Sequence, residues 1–310
     1  MAISSLPRLA RAPEFRDLGP WHNGLPVTLK ELRGKVVLVD FWTYTCVNCL
    51  RTLPFLRRYW SAYGGTSFVM IGIHAPEFQF ERDERAVAEA LRRLRVTWPV
   101  AQDNAYGTWQ AFANHYWPAK YLIDAEGYIR SLHTGEGGYQ QTENEICSLL
   151  EEAGVPLRDR PPAVHHEPMR SLHNQTPETY LNSRSWHAFA GAPPLPPGGP
   201  FAYAPPSLPS LHRYALGGTW ELVDDERQVL RSTEGEMRLC FLGSEANVVL
   251  QREEGSGPAE ATVSVDGTDV SVCRVDHGDM YPLFSGAYGE HALRIRFRGE
   301  GVAAYAFTFG

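Results

Sequence analysis

The chain has 310 residues, 43% of them hydrophobic and 21% charged, with a formal net charge of −7. That length suits two domains, each with its own core, and the composition is that of a folded globular chain. The acidic balance argues against nucleic-acid binding, and no apolar run approaches the ~18 residues of a membrane span.

The first residues, M-A-I-S-S-L-P-R-L-A-R-A-P, place Arg8 and Arg11 where a signal peptide needs its apolar core. A cytoplasmic location is expected, or an extracytoplasmic one (periplasm or cell envelope) if an export segment has been removed. Residues 14–35 read as an opening hairpin, because N-G-L-P-V-T-L carries a turn signal followed by alternation. The run Val36, Val37, Leu38, Val39 then has the pattern of a strand buried on both faces. It leads through Asp40 and Trp42 to a C-x-x-C pair, Cys46 and Cys49. Leu50, Leu53, Leu56 and Tyr59 follow at helical spacing.

Strand, loop, C-x-x-C and helix is the layout of a dithiol redox site. Only a thiolate attacks a disulfide, and a helix start, with its unpaired N–H groups and positive dipole end, favours that anion at Cys46. Cys49, one turn in, is placed to attack a mixed disulfide formed at Cys46. Asp40 is expected to be buried with a raised pKa and to exchange a proton with Cys49; the alternative is a strand-end cap. No second C-x-x-C or C-x-x-H completes a zinc site, so neither metal nor cofactor is expected.

The segment V-D-F-W-T-Y-T-C-V-N-C resembles the active-site segment of thioredoxin-like oxidoreductases, and Pro54 matches the proline that kinks their active-site helix. Y-W-P-A-K-Y-L-I-D (116–124) resembles their cis-proline segment, with Pro118 as the cis residue. A closer resemblance is to the DipZ-type thioredoxin-like proteins. It is carried by W-T-Y-T-C-V-N-C-L-R-T-L-P, I-H-A-P-E-F-Q-F-E, Q-D-N-A-Y-G-T-W and H-T-G-E-G-G-Y, and extended by T-P-E-T-Y-L. The resemblance implies a thiol-disulfide oxidoreductase, with Cys46 attacking, Cys49 resolving, Asp40 moving the proton and Pro118 positioning the substrate. Trp42 and Trp117 would bind substrate by shielding the site and shaping its rim, with core packing the alternative for Trp42. The implied partners are protein disulfides and a protein electron donor; DipZ proteins usually join this domain to a membrane-embedded electron-transfer domain.

Further along, Phe68–His74 reads as an apolar strand and Glu81–Arg95 as an amphipathic helix with a charged exterior. By resemblance, TlpA-like and DipZ-like proteins carry an inserted helix there. A short strand (Trp98–Ala101), a helix (Thr108–His115), a hairpin across Ala125-Glu126-Gly127 and a closing helix (Thr142–Ala153) complete a thioredoxin fold. Cys147 reads as a small buried residue.

The expected division is 1–155 thioredoxin-like, 156–178 linker and 179–310 β-sandwich. The linker is rich in Pro, His and Arg; His165, His166 and His173 invite a metal reading but lack fixed geometry. Gly191–Pro209 is a second Pro/Gly-rich stretch, expected as a long loop. From Tyr214 on, M-R-L-C-F-L, A-N-V-V-L-Q, A-T-V-S-V-D-G-T-D-V-S-V and H-A-L-R-I-R-F-R alternate as short strands of a jelly-roll-like sandwich. Cys240 and Cys273 are either two separate core thiols or a disulfide. DipZ resemblance implies a carbohydrate-binding-module-like domain here, with carbohydrate as a possible ligand; Trp220 and Tyr281 have the ring faces for sugar stacking or belong to the core. Two functions follow: a protein-disulfide oxidoreductase, working as reductant, or a non-catalytic binding protein whose C-x-x-C is vestigial or metal-binding.

Overall fold

The computed structural model describes residues 6–65, 67–156, 174–191, 199–204 and 207–310. The chain divides into two compact units, the boundary falling within 157–173. The expected linker histidines His165, His166 and His173, and residues 192–198 of the expected long loop, therefore lie outside the described residues.

In the first unit the elements run β1 (Ala10–Arg11), β2 (Trp21–His22), β3 (Val36–Trp42), α1 (Val47–Tyr63), β4 (Phe68–His74), α2 (Glu84–Arg93), β5 (Val100–Gln102), α3 (Gly107–Ala111), β6 (Ala119–Ile123), β7 (Tyr128–Thr134) and α4 (Tyr139–Glu152). They build one sheet in the order β1-β7-β6-β3-β4-β5-β2. β3 lies parallel to β4 and antiparallel to β6. This is the thioredoxin fold, with α2 as its helical insertion.

All seven residues of β3 are buried, and they divide between two cores by strand alternation. Val36, Leu38 and Trp42 join the cluster that contains Cys49, Leu53 and Leu56 of α1. Val37, Val39 and Phe41 join Phe112, Tyr121 and Ile129 on the other face. Gly72 of β4 permits the close packing beside Asp40, its register partner. A Cβ there would meet Val100 Cγ2 at 3.0 Å and the Trp42 indole nitrogen at 3.1 Å.

The opening residues differ from the expected hairpin. β1 pairs with β7 and β2 with β5, so they extend opposite edges of the sheet instead of pairing with one another. The alternation in 24–30 does not become a strand, because side chains capture its backbone. The Glu14 carboxylate accepts from the Leu29 and Lys30 N–H groups at 2.6 and 3.1 Å, and the Glu31 carboxylate accepts from the Thr28 N–H at 2.8 Å.

The second unit contains β8 (Thr179–Tyr180), β9 (Phe201–Tyr203), β10 (Arg213–Val223), β11 (Arg227–Arg252), β12 (Ala259–Val265), β13 (Thr268–Val275), β14 (Asp279–Arg298) and β15 (Val302–Phe309). M-R-L-C-F-L and A-N-V-V-L-Q, expected as separate strands, are both parts of β11, and H-A-L-R-I-R-F-R is the end of the long β14, whereas A-T-V-S-V-D-G-T-D-V-S-V forms the paired strands β12 and β13 as expected. The β11–β14 ladder shifts register at Gly243/Glu245 and Ala246/Asn247, and irregularities of this kind bend a strand without ending it. β15 pairs with both ends of β11, at Gln228–Val229 and at Ala246–Arg252, which folds the sheet into a β-sandwich. Trp220 and Tyr281 are 1% and 9% exposed, their polar atoms bonded to the Gly217 and His277 carbonyls. They take the core reading. Cys240 and Cys273 are free thiols.

Candidate active site

The loop leaving β3 turns directly into α1, and Cys46 is the capping residue of that helix. Its backbone is extended (φ −78°, ψ 111°), and its sulfur accepts a hydrogen bond from the Cys49 N–H at 3.2 Å. A sulfur so placed receives the unpaired N–H groups and dipole of the helix start. The two cysteines differ in access: Cys46 is partly exposed, whereas Cys49 is wholly buried. Burial pushes the Cys49 thiol well up, reinforced by hydrogen bonding to the Cys46 side chain and by the Asp40 charge. A hydrogen bond from the Thr43 backbone opposes this. Pro54 lies inside α1, one turn beyond the pair.

Asp40 is 1% exposed and lies within β3, two residues short of its end. It is therefore not a strand-end cap. Its Oδ1 has no hydrogen-bond partner, and burial pushes the carboxyl up to about 7, with Lys120 pulling it back. Lys120 stands directly across the ladder from Asp40, so both side chains share the face toward the dithiol. It is 3% exposed and donates to the Gly135 carbonyl at 3.3 Å. Burial lowers its pKa, against the pull of Asp40, Cys49 and Cys46. Sequence reasoning missed this lysine. Its signal was a single cation within the apolar run A-K-Y-L-I, all five residues of which are buried.

The Trp117–Pro118 peptide bond is cis. Trp117 is half-buried, packs against the cluster containing Cys49, donates to the Ala75 carbonyl at 3.0 Å and lies 4.3 Å from the Trp109 ring. Trp42, expected on the rim, is instead 1% exposed and packs edge-on against His74 at 5.6 Å. Strand alternation turns it into the core, so it supports the site from inside.

The Redoxin family matches residues 10–149, and the family described as thioredoxin like C-terminal domain matches residues 176–310. The chain is 32% identical over 305 residues to protein DipZ of Mycobacterium tuberculosis, covering 96% of this chain and 43% of DipZ. The chain is a homologue of DipZ. It spans less than half the length of that DipZ. The thiol-disulfide oxidoreductase YkuV of Bacillus subtilis is 28% identical over 141 residues, 45% of this chain and 94% of YkuV. Among solved structures, thioredoxin-like superfamily protein SPOA0173 is 26% identical with a TM-score of 0.43, covering 46% of this chain and 96% of its own. Over residues 10–149 this DipZ homologue is similar to redoxins, and over 141 residues to the thiol-disulfide oxidoreductase YkuV. No helix among the described residues is long and apolar enough to cross a membrane, and no group of side chains among them is arranged to hold a metal ion.

Proposed function

We propose that the chain is a protein-disulfide reductase acting through Cys46 and Cys49. The Cys46 thiolate attacks one sulfur of a partner protein's disulfide, forming a mixed disulfide and releasing the other partner sulfur as a thiolate. Cys49 passes its proton to Asp40 and attacks the Cys46 sulfur. The Cys46–Cys49 bond forms, the second partner sulfur leaves, and two electrons have passed to the partner. A protein electron donor then restores the dithiol. Pro118 and the half-buried Trp117 form the wall that positions the incoming chain.

The observation that carries this reading is the asymmetry of the pair: an accessible sulfur at the helix start, and a buried one beside a buried carboxylate with an unpartnered oxygen. A carboxyl near 7 is poised to accept the Cys49 proton at neutral pH. Insulin reduction driven by dithiothreitol tests the activity. Wild type should exceed the dithiothreitol background and Cys46→Ser should not; equal turnover by both rejects the assignment. For direction, the couple should equilibrate nearer the roughly −270 mV of thioredoxin than the roughly −120 mV of DsbA. A value at the oxidising end would make the protein an oxidant.

A further inference from the structure

Glu81 was expected at the start of a helix with a charged exterior, yet it is 0% exposed. It lies in a short 3-10 turn, Gln79–Arg82, ahead of α2. Its Oε1 accepts from the Thr43 and Thr45 hydroxyls at 2.5 and 2.6 Å. Its Oε2 accepts from the backbone N–H groups of Glu77 and Phe78 at 2.5 and 2.9 Å. One carboxylate therefore ties the segment after β4 to the loop between β3 and α1.

That loop sets both sulfurs. Thr45 immediately precedes the helix cap Cys46, and the Thr43 backbone hydrogen-bonds Cys49. Both threonines are buried, at 0% and 1% exposure, so water does not replace a lost partner. The Thr43 hydroxyl has one proton, which it gives to Glu81. Its contact with His74 Nε2 at 3.3 Å must then be one it accepts, which fixes the Nε2–H tautomer. His74 in turn stacks on Tyr44, 5.6 Å between ring centres and 20° between planes. All three residues of the T-Y-T run are thereby held.

We propose that Glu81 is a positioning residue for the dithiol, its carboxylate fixing the Thr43–Thr45 loop so that Cys46 caps α1 with Cys49 in reach. The proposal rests on the redox reading above. A carboxylate suits the position because four donors converge on its two oxygens. Glutamine is its conservative replacement: its oxygen accepts from the two backbone N–H groups, and its NH₂ donates to hydroxyls that rotate to accept. Alanine leaves the four donors unpaired.

The test is iodoacetamide alkylation of Cys46 and Cys49 in the full chain, with insulin turnover alongside and circular dichroism to confirm folding. Glu81→Ala should slow Cys46 alkylation and turnover about tenfold or more, the scale of misplaced reacting groups. Glu81→Gln should restore both to within about twofold of wild type, since it keeps the hydrogen bonds without the charge. Thr45→Val removes one donor at nearly constant volume, and should slow Cys46 alkylation by about threefold or more even if Glu81→Ala fails to fold. Wild-type rates in Thr45→Val, or a folded Glu81→Gln as impaired as Glu81→Ala, would overturn the positioning role alone. A wild-type chain in which Cys46 reacts no faster than Cys49 would instead undo the redox reading itself.

Discussion

β3 in the first unit and β15 in the second are both buried along their whole length, yet β3 carries a carboxylate and β15 carries no ionised group. The polar groups of β15 are hydroxyls with partners: Tyr305 donates to Gln251 at 2.5 Å, and Thr308 accepts from Asn247 at 3.5 Å. Asp40 leaves one oxygen without any. Burying a paired hydroxyl costs little, whereas an isolated carboxylate is expensive enough that it shifts its pKa instead. The second strand serves packing alone. The first accepts a stability penalty beside two thiols, which is where perturbed groups take part in chemistry.

The sharpest break in this comparison is Cys46→Ser, which should abolish insulin turnover, while Cys49→Ser should accumulate a mixed disulfide with the substrate. Mass spectrometry of the trapped species checks the second; labelling at Cys49 rather than Cys46 in the single mutants would reverse the roles. On the packing side, Phe307 of β15 is fully buried. Phe307→Ala should cost the second unit about 3–5 kcal/mol and leave insulin turnover unchanged. Denaturant unfolding read beside activity decides it, and a parallel loss of turnover would show that the redox chemistry depends on the sandwich.

Asp40→Asn tests the penalty and the chemistry together. Turnover should fall about a hundredfold if the carboxyl moves the Cys49 proton. The folded chain holds the Asp40 proton up to about 7, against an ordinary value of 3.8. Between those values the folded state binds more protons than the unfolded, so this group's contribution to stability falls as pH rises. Asparagine does not titrate. The advantage of the variant should therefore grow from near zero at acid pH to on the order of 4 kcal/mol above neutrality. Urea midpoints at pH 4.5 and pH 8 provide the measurement; an advantage equal at both would mean that Asp40 is not the titrating group.

The dithiol and its strand were readable because their signals are local: an unbroken apolar run, a C-x-x-C, and leucines at helical spacing. The rest depended on tertiary pairing. Glu81 has the spacing of an exposed helix residue, and its burial arises only when the 3-10 turn folds over the Thr43–Thr45 loop. The breaks that suggested separate short strands around Gly243 are bulges within continuous ones, since a register shift and a turn share glycine and polar residues. Lys120 is the single cation of an apolar run, and its burial beside Asp40 depends on the pairing of β6 with β3.

Lys120→Met separates the charge of that lysine from its bulk. The ammonium pulls the Asp40 carboxyl down against burial, so its removal should raise the Asp40 pKa further, by up to about one unit. The proton acceptor then becomes available only at higher pH, and the acid limb of the turnover profile should move up with it. At pH 6.5 turnover should fall by up to about tenfold, with recovery above pH 9, because one unit of pKa is a factor of ten. Stability should change little, since an apolar residue of similar length replaces a buried cation without leaving a cavity. If Lys120 acts only by filling space, the profile keeps its shape and drops evenly at every pH. A pH series on the two proteins therefore distinguishes an electrostatic partner of Asp40 from a packing residue.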